Sequence, residues 1–391
     1  MSKKYFFPLL FLPLILLFVA QSQPPEDTFI VVGGGPPGLA LYENGQYVGA
    51  TPLGDAWPGY TMYDAFLWGD KLVVTTAEVG RWILIYHLPD LSKPATAIKA
   101  PGNVSHFLYY TPEVAPLSGN VLYIAVFNQS AKRGYICRLD LEQEVLSDCI
   151  DVGVYPHAPV KYGGYIVTPL IREPYLVKLD GGGVTVRVRV EMPWRPYVNP
   201  HDPLRYTWLS FHMITTDGKY IYGEGHAIDP GYMLAVEVHA HSYIVSLDGG
   251  GRVVAFYPTS ALPPGLPGLA VCRGRLFATS PLEGLVYVLS TPDLKPLAIL
   301  KVGETPWGVF ANPDCSRVYV TDILGGRVYV IDVGSLETVK VFKTPMRWPH
   351  TVIFVNGDAA TIFKQIVQPL DTIPITGDLP PPVVACGDLP P

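Results

Sequence analysis

The chain has 391 residues, of which 49% are hydrophobic and 16% are charged, and its formal net charge is −6. This composition is too apolar for a disordered protein, and 38 glycines with 40 prolines are too many chain breakers for long helices. The acidic balance argues against nucleic acid as a partner, because phosphate binding needs clustered Lys and Arg, and no basic run follows Lys3-Lys4.

Residues 1–22 have the pattern of an export signal. A short basic start is followed by a continuous apolar stretch from Tyr5 to Ala20 and then by small and polar residues. We predict cleavage near Ala20 or Ser22, so that the folded part is secreted or lies at the cell surface. A retained anchor is the alternative, because the apolar stretch is only slightly shorter than a bilayer span. Membrane contact is therefore expected only through an uncleaved signal segment.

A strand pattern of the form apolar-Tyr-apolar recurs along the rest of the chain. Its copies end at polar residues about forty positions apart, which indicates a repeat architecture. These end residues are Glu43, His87, Asp140, Asp180, Asp248, Ser290 and Asp332. In the clearest copy, turn residues separate four short β-branched or aromatic runs, at Asn312-Pro313-Asp314, Gly325-Gly326 and Gly334-Ser335. Four antiparallel strands per repeat and seven repeats predict an all-β fold, the seven-bladed β-propeller.

The stretch "NPDCSRVYVTDILGGRVYVIDVGSLETVKVF", which begins at Asn312, resembles the YVTN-type propeller repeat. Val318-Tyr319-Val320-Thr321 corresponds to the signature of that repeat. Outside the fifth and sixth repeats, only the general pattern of the repeat is shared. It extends over roughly residues 27–370, and it implies the fold far more securely than an activity.

Both ends of the chain contribute to the predicted ring. The last repeat begins at Trp348 with "TVIFV" and "AATIFKQIV", both read as strands, and then loses the pattern. The strands that it lacks are supplied by "LALYE" and "QYVGATPLG" near the start, so strands from both termini close the ring and remove open sheet edges. The propeller is thus predicted to span residues 27–370, followed by a Pro-rich C-terminal tail at 371–391.

Five cysteines suit an oxidising compartment. Cys137 and Cys149 flank a predicted hairpin turn, and Cys272 and Cys315 fall in equivalent turns of successive repeats. We therefore expect the disulfides Cys137–Cys149 and Cys272–Cys315, with Cys386 left over in the tail.

Four of the nine histidines occupy one repeat-equivalent position, at the head of the first and innermost strand of a blade. The seven residues aligned there are Gly59, His106, His157, His212, Gly268, Trp307 and His350. Because the innermost strands line the central channel, the imidazoles of His106, His157, His212 and His350 are expected to meet in a single funnel.

A second group of histidines lies in the fourth repeat, which is longer than the others and therefore contains an insertion. We predict that His226, His239 and His241 lie in an enlarged loop between the second and third strands, opening on the same face, with His201 in a preceding insertion. Long loops on a rigid scaffold often carry function. Glu224 is a weaker candidate for a general base.

Clustered imidazoles suit a transition metal, and an all-nitrogen site outside the cytoplasm favours copper. The predicted ligands are His106, His157, His212, His226, His350, His239 and His241. The placement of histidines on inner strands is similar to that of nitrous-oxide reductase and of the selenium-binding/methanethiol oxidase group. The chain lacks the Cys-bearing cupredoxin domain of the reductase, so that activity is not expected.

The favoured function is a metal-dependent oxidoreductase acting on a small molecule, or sequestration of the ion. The main alternative is a non-catalytic extracellular or cell-surface scaffold that recognises a protein or glycan, with structural histidines. A metal-assisted lyase or hydrolase is a third alternative, because an ion held by imidazoles also activates water. His87 replaces the Asp that ends the third strand of other blades and is expected to be structural.

Overall fold

The structure is a computed structural model that describes residues 27–54, 56, 63–76, 80–107, 119–128, 130–171, 173–180, 183–190, 208–228, 242–259 and 267–373. The predicted signal segment, most of the tail with Cys386, and His201, His239 and His241 lie outside these residues.

Strands in the first half of the chain form one outer sheet section and three complete sheets. The outer section consists of β1 (Phe29–Gly34), β2 (Gly38–Glu43) and β3 (Gln46–Pro52). Blade 1 consists of β4 (Tyr63–Trp68), β5 (Lys71–Thr76), β6 (Trp82–His87) and β7 (Thr96–Lys99). Blade 2 consists of β8 (Asn103–Phe107), β9 (Val121–Asn128), β10 (Arg133–Asp140) and β11 (Val145–Gly153). Blade 3 consists of β12 (Val160–Tyr162), β13 (Tyr165–Pro169), β14 (Tyr175–Asp180) and β15 (Gly183–Arg189).

Three further sheets follow in the second half. Blade 4 consists of β16 (Trp208–Thr216), β17 (Ile221–Ile228), β18 (Ser242–Leu247) and β19 (Val253–Pro258). Blade 5 consists of β20 (Leu269–Cys272), β21 (Arg275–Ser280), β22 (Leu285–Ser290) and β23 (Pro296–Lys301). Blade 6 consists of β24 (Pro306–Ala311), β25 (Arg317–Asp322), β26 (Arg327–Asp332) and β27 (Thr338–Lys343). The last strand is β28 (Trp348–Phe354), and the helix α1 (Gly357–Ile366) follows it.

The seven sheets are four-stranded and form a propeller ring, as the repeat pattern predicts. Strand order follows the chain in blades 1 to 6, whereas blade 7 has the order β28-β1-β2-β3. In blade 7 the last strand is innermost and pairs antiparallel with β1, with Ile353 opposite Ile30. The predicted closure by strands from both termini is therefore confirmed, and it leaves no unpaired edge between the first and last repeats.

Apolar side chains between neighbouring blades hold the ring together. The alternation of each strand sends successive residues to opposite faces of its sheet. In blade 6, for example, Val318 and Val320 pack with residues of blade 5, and Tyr319 packs on the other side with Phe29 of blade 7. Each blade thus buries both faces, and every interface in the ring belongs to two repeats.

The segment "AATIFKQIV" is helical, so its prediction as a strand was wrong. Ala360 and Phe363 are buried three residues apart, which is helical spacing, and they pack against the blade 7–blade 1 core. Asp358 in the first turn and Lys364 in the last suit the helix dipole. A bridge between Gln368 and Ala50 then ties the chain to β3.

Both predicted disulfides are present. Cys137–Cys149 links the adjacent strands β10 and β11, and Cys272–Cys315 links blade 5 to blade 6. Two disulfides fit an oxidising environment. Among the described residues, no helix is long and apolar enough to span a membrane.

Blades 1 and 2 share a polar cluster around Glu144. Its carboxylate pairs with Lys71 at 2.7 Å, and it also accepts hydrogen bonds from His87 and Thr96. The structural role expected for His87 is consistent with this contact. Burial alone would raise the pKa of the Glu144 carboxyl, but the hydrogen bonds from Lys71, Thr96 and His87 outweigh it and lower the pKa to about 2.

The Glu144 cluster predicts a loss of stability in acid. Because the folded-state pKa lies below the unfolded value of about 4.3, the contribution is fully present above that value and disappears as pH falls towards 2. Because solvent screens this partly exposed cluster, we expect the stability advantage of the native protein over Glu144→Gln to shrink by only on the order of 1–2 kcal/mol between pH 6 and pH 2. Urea unfolding at a series of pH values measures it, and an advantage that does not change with pH would contradict the prediction.

Candidate functional site

The inner strands share an irregular step at one level of the ring. In blades 2, 4, 6 and 7 the pairing with the second strand slips by one residue, at 105–106, 212–213, 307–308 and 350–351. In blade 3, residues 157–159 lie between the pairs Pro156–Leu170 and Val160–Val167, which again leaves one residue too many. Such β-bulges re-aim side chains and are common beside functional sites.

The four histidines aligned from the sequence all fall within these bulges. His212 and His350 hold the same register position, which Trp307 occupies in blade 6. His106 is the second of the two bulge residues in its blade, and His157 is the first of three. The alignment therefore found repeat-equivalent positions to within one residue, but they do not coincide with the strand heads, since His212 lies in the middle of β16.

His157 and His212 form a buried pair between blades 3 and 4. Their ring centroids are 4.4 Å apart with an angle of 34° between the planes, and their exposures are 0% and 5%. The Thr168 hydroxyl fixes the backbone beside the pair by donating to the His157 carbonyl at 2.8 Å. Two imidazoles from neighbouring blades thus lie in direct contact.

His350 forms a second contact, with an acidic residue of blade 1. Its Nδ1 lies 3.2 Å from Oδ1 of Asp64 and 3.3 Å from the Thr351 hydroxyl, and both partners of the ion pair are buried. A neutral imidazole that donates from Nδ1 to this carboxylate would have its lone pair on Nε2. Carboxylates orient metal-binding histidines in this way.

The sequence alignment did not identify Asp64. It placed the head of the first inner strand at Gly59, whereas β4 begins at Tyr63 and pairs Asp64 with Thr75 of β5. A signal was available, because Asp64 is the only charged residue in the strand "YDAFLW".

His226 lies on a strand rather than in a loop, which corrects the prediction for this residue. It belongs to β17, where it pairs with Ser210 on one side and Ser242 on the other. The strand "IYGEGHAI" runs without interruption to Ile228. Glu224 lies two residues earlier on the same strand and is fully buried. The side chains of His226 and His106 lie outside the described part, as do the whole of His201, His239 and His241.

The described donors do not complete a bare-metal site. Within the described ranges, no group of three or more His, Cys, Asp or Glu side chains is arranged to hold an ion. The ring centroids of His157 and His212 are 4.4 Å apart. Two imidazoles bound to one ion with metal–nitrogen bonds of about 2.0 Å and a nitrogen–metal–nitrogen angle of 90–110° would have centroids about 4.4–5.1 Å apart, so the distance is compatible with two ligands of one ion. The described residues therefore offer two donors at most to one ion.

Tryptophans lie at the same level of the ring. Trp307, Trp348 and Ile323 form a small apolar cluster separate from the blade interfaces, and each is 4% exposed. Arg347 lies over the ring of Trp348, 5.3 Å from its centroid. A buried aromatic cluster therefore lies next to the bulges of blades 6 and 7.

Comparisons with known proteins identify the architecture. No protein-family model matches the sequence, and no protein of curated function matches it. Among solved structures, the chain is similar to the dihydro-heme d1 dehydrogenase NirN in complex with DHE, with 16% identity and a TM-score of 0.51 over 82% of this chain. It is also similar to the Kuenenia stuttgartiensis hydrazine synthase, with 13% identity and a TM-score of 0.52 over 75% of this chain and 89% of the other. The chain spans 65% of the length of the NirN chain, and at these identities the likeness shows the fold alone.

Proposed function

We propose that the protein is a secreted redox protein of the propeller class, with a transition-metal centre held by histidines in a central funnel. The observation that carries the proposal is the contact between Nδ1 of His350 and Asp64, an orientation in which Nε2 of this buried imidazole would be the metal ligand. The buried pair His157 and His212 adds two imidazoles at the same level. The export signal and two disulfides support secretion, and the repeats are proposed to be of the YVTN type.

An iron tetrapyrrole suits the described donors better than a bare ion. A tetrapyrrole supplies four equatorial nitrogens itself and needs only one or two axial ligands from protein, so a site without three grouped donors is sufficient. Trp307 and Trp348 would contribute apolar packing beside such a ring. One similar structure, NirN, is described as a dehydrogenase of a dihydro-heme d1.

In this proposal each residue has a separate task. His350 would hold the iron, and Asp64 would fix the ring and the tautomer of His350. The blade 6–blade 7 tryptophans exclude water. When bound, the iron supplies one-electron chemistry for a small-molecule substrate.

Copper is the second candidate, and the spacing of His157 and His212 favours it. Those two rings would bind one ion as neighbouring ligands, with further donors from His106, His226, His239 or His241. Copper accepts such nitrogen-rich sites. An extracellular scaffold for a protein or glycan remains the non-catalytic alternative, with no metal at the hub.

Metal analysis of untagged protein from cells supplied with both iron and copper tests the proposal. We expect about one iron per chain with a strong visible absorption band, and at least a tenfold loss of both in His350→Ala. His87→Ala is the matched control, since this half-exposed histidine lies on β6 away from the bulges, and it should retain the metal. Copper that is lost in His157→Ala would favour the second candidate, and a metal-free protein would support the scaffold.

A further inference from the structure

The backbone on either side of His157 is held in a strained conformation. Tyr155 has φ +57° and Ala158 has φ +24°, and neither residue is a glycine. Residues with a Cβ rarely adopt positive φ, so such positions persist only where the surrounding contacts enforce them. Both residues are buried, with exposures of 8% and 0%. The segment 155–158, between β11 and β12, is therefore fixed by its surroundings rather than by its own conformational preference.

Three hydrogen bonds fasten this segment to blade 3. The Ile171 N–H donates to the Tyr155 carbonyl at 3.0 Å, and the His157 N–H donates to the Pro169 carbonyl at 3.1 Å. The Thr168 hydroxyl donates to the His157 carbonyl at 2.8 Å, and Thr168 is fully buried. Both polar groups of the His157 backbone are thus bonded to the end of β13. We call the segment and its three partners the His157 clamp.

The His157 clamp directs two successive side chains at blade 4. The ring of His157 lies against that of His212, with the centroids 4.4 Å apart. The Ala158 methyl group belongs to the buried apolar cluster that contains Met213. His212 and Met213 are the two bulge residues of β16. A strained segment of blade 3 is therefore fitted to the irregular step in the inner strand of blade 4.

We propose that Thr168 is a positioning residue, which through the His157 clamp holds the imidazole of His157 against that of His212 as a pair of metal ligands. The proposal rests on the metal centre proposed above and adds to it the group that fixes this pair. Two ligands on different blades bind one ion tightly only if their separation is set in advance, because binding must otherwise order them. A hydroxyl bonded to the carbonyl of His157 sets that separation through the backbone. Strained backbone of this kind is typical of segments that support a functional site.

Thr168→Val tests the proposal, because valine has a similar shape and lacks the hydroxyl. In metal-free protein titrated with Cu²⁺, the binding that disappears in His157→Ala should weaken at least tenfold in Thr168→Val. Thr168→Ser keeps the hydroxyl and should bind Cu²⁺ as the native protein does. Thr344→Val is the matched control, since the buried Thr344 hydroxyl donates to the Met346 carbonyl at the same 2.8 Å. This control should lower the Tm as Thr168→Val does and leave Cu²⁺ binding unchanged.

Two further measurements keep the test independent of a folding defect and of the metal. Ala158→Gly removes neither hydrogen bond of His157, but glycine adopts positive φ freely, so the segment relaxes and Cu²⁺ binding should weaken in a folded protein. Crystals of the metal-free proteins measure the ring separation directly. We expect 4.4 Å between the centroids of His157 and His212 in the native protein, and a displacement of more than about 0.5 Å in Thr168→Val.

The outcomes distinguish this proposal from the proposed function. Native Cu²⁺ affinity in Thr168→Val would overturn the positioning role, and so would an equal weakening in Thr168→Val and Thr344→Val, since lost stability would then explain both. If the native protein shows no Cu²⁺ binding that depends on His157, the metal centre fails at this pair. The positioning role is then decided by the metal-free crystals, where an unchanged ring separation in Thr168→Val would overturn it.

Discussion

Phe29→Ala is expected to lower the free energy of unfolding by about 3–5 kcal/mol. Phe29 is 1% exposed on β1 and stacks on Tyr42 with a centroid distance of 5.0 Å. It also contacts the rings of Tyr319 at 4.8 Å and Phe342 at 5.4 Å, both in blade 6. The lost ring would leave a cavity at the interface where the chain termini close the propeller, so the change weakens closure as well as packing.

Phe256→Ala is the matched control for this prediction. Phe256 is 43% exposed on β19, the outer strand of blade 4, and a surface truncation of this kind usually changes stability by about 0.5 kcal/mol or less. Urea unfolding followed by circular dichroism measures both variants. Similar losses for the two would show that closure does not depend on the aromatic cluster.

Removal of the disulfide between blades 5 and 6 is expected to cost about 4 kcal/mol. The double variant Cys272→Ala/Cys315→Ala opens a loop with a sequence separation of 43, and the chain entropy of the unfolded state rises accordingly. Both cysteines are buried in the interface core, with Val318 and Val320 among their neighbours, so truncation also loses packing. The oxidised protein should therefore unfold at clearly higher urea concentration than the variant.

The other disulfide is the comparison for this effect. Cys137–Cys149 closes a sequence separation of only 12 within one blade, which predicts about 3 kcal/mol. Cys137→Ala/Cys149→Ala should thus cost less than the interblade pair. An equal or larger loss in this hairpin would contradict the view that the interblade link matters more.

The fold was predictable because it repeats. Strand alternation and turn residues recur seven times, so an error in one repeat is corrected by the others. The closing strands could be predicted because the last repeat lacks strands that the start of the chain supplies. The segment at Gly357–Ile366 comes after the last repeat and had no such check. There, Ala360 and Phe363 face a core built by blades 7 and 1, and that tertiary contact selects a helix.

The site was predictable only in part. Repeat alignment found the level of the ring for His157, His212 and His350, because backbone register is shared between blades. It could not place bulges, which depend on one extra residue in pairing, and so it missed that His106 and His157 are offset. Asp64 was missed because contact between blades 7 and 1 joins residues at opposite ends of the chain.

Anomalous diffraction from crystals of the untagged protein, recorded at the iron and copper absorption edges, tests the central claim most directly. The account predicts one strong peak inside the ring at the level of the bulges, about 2 Å from an imidazole nitrogen of His350, or of His157 and His212 if the metal is copper. A featureless hub in metal-replete crystals, with the histidines hydrogen-bonded only to protein and water, would contradict it.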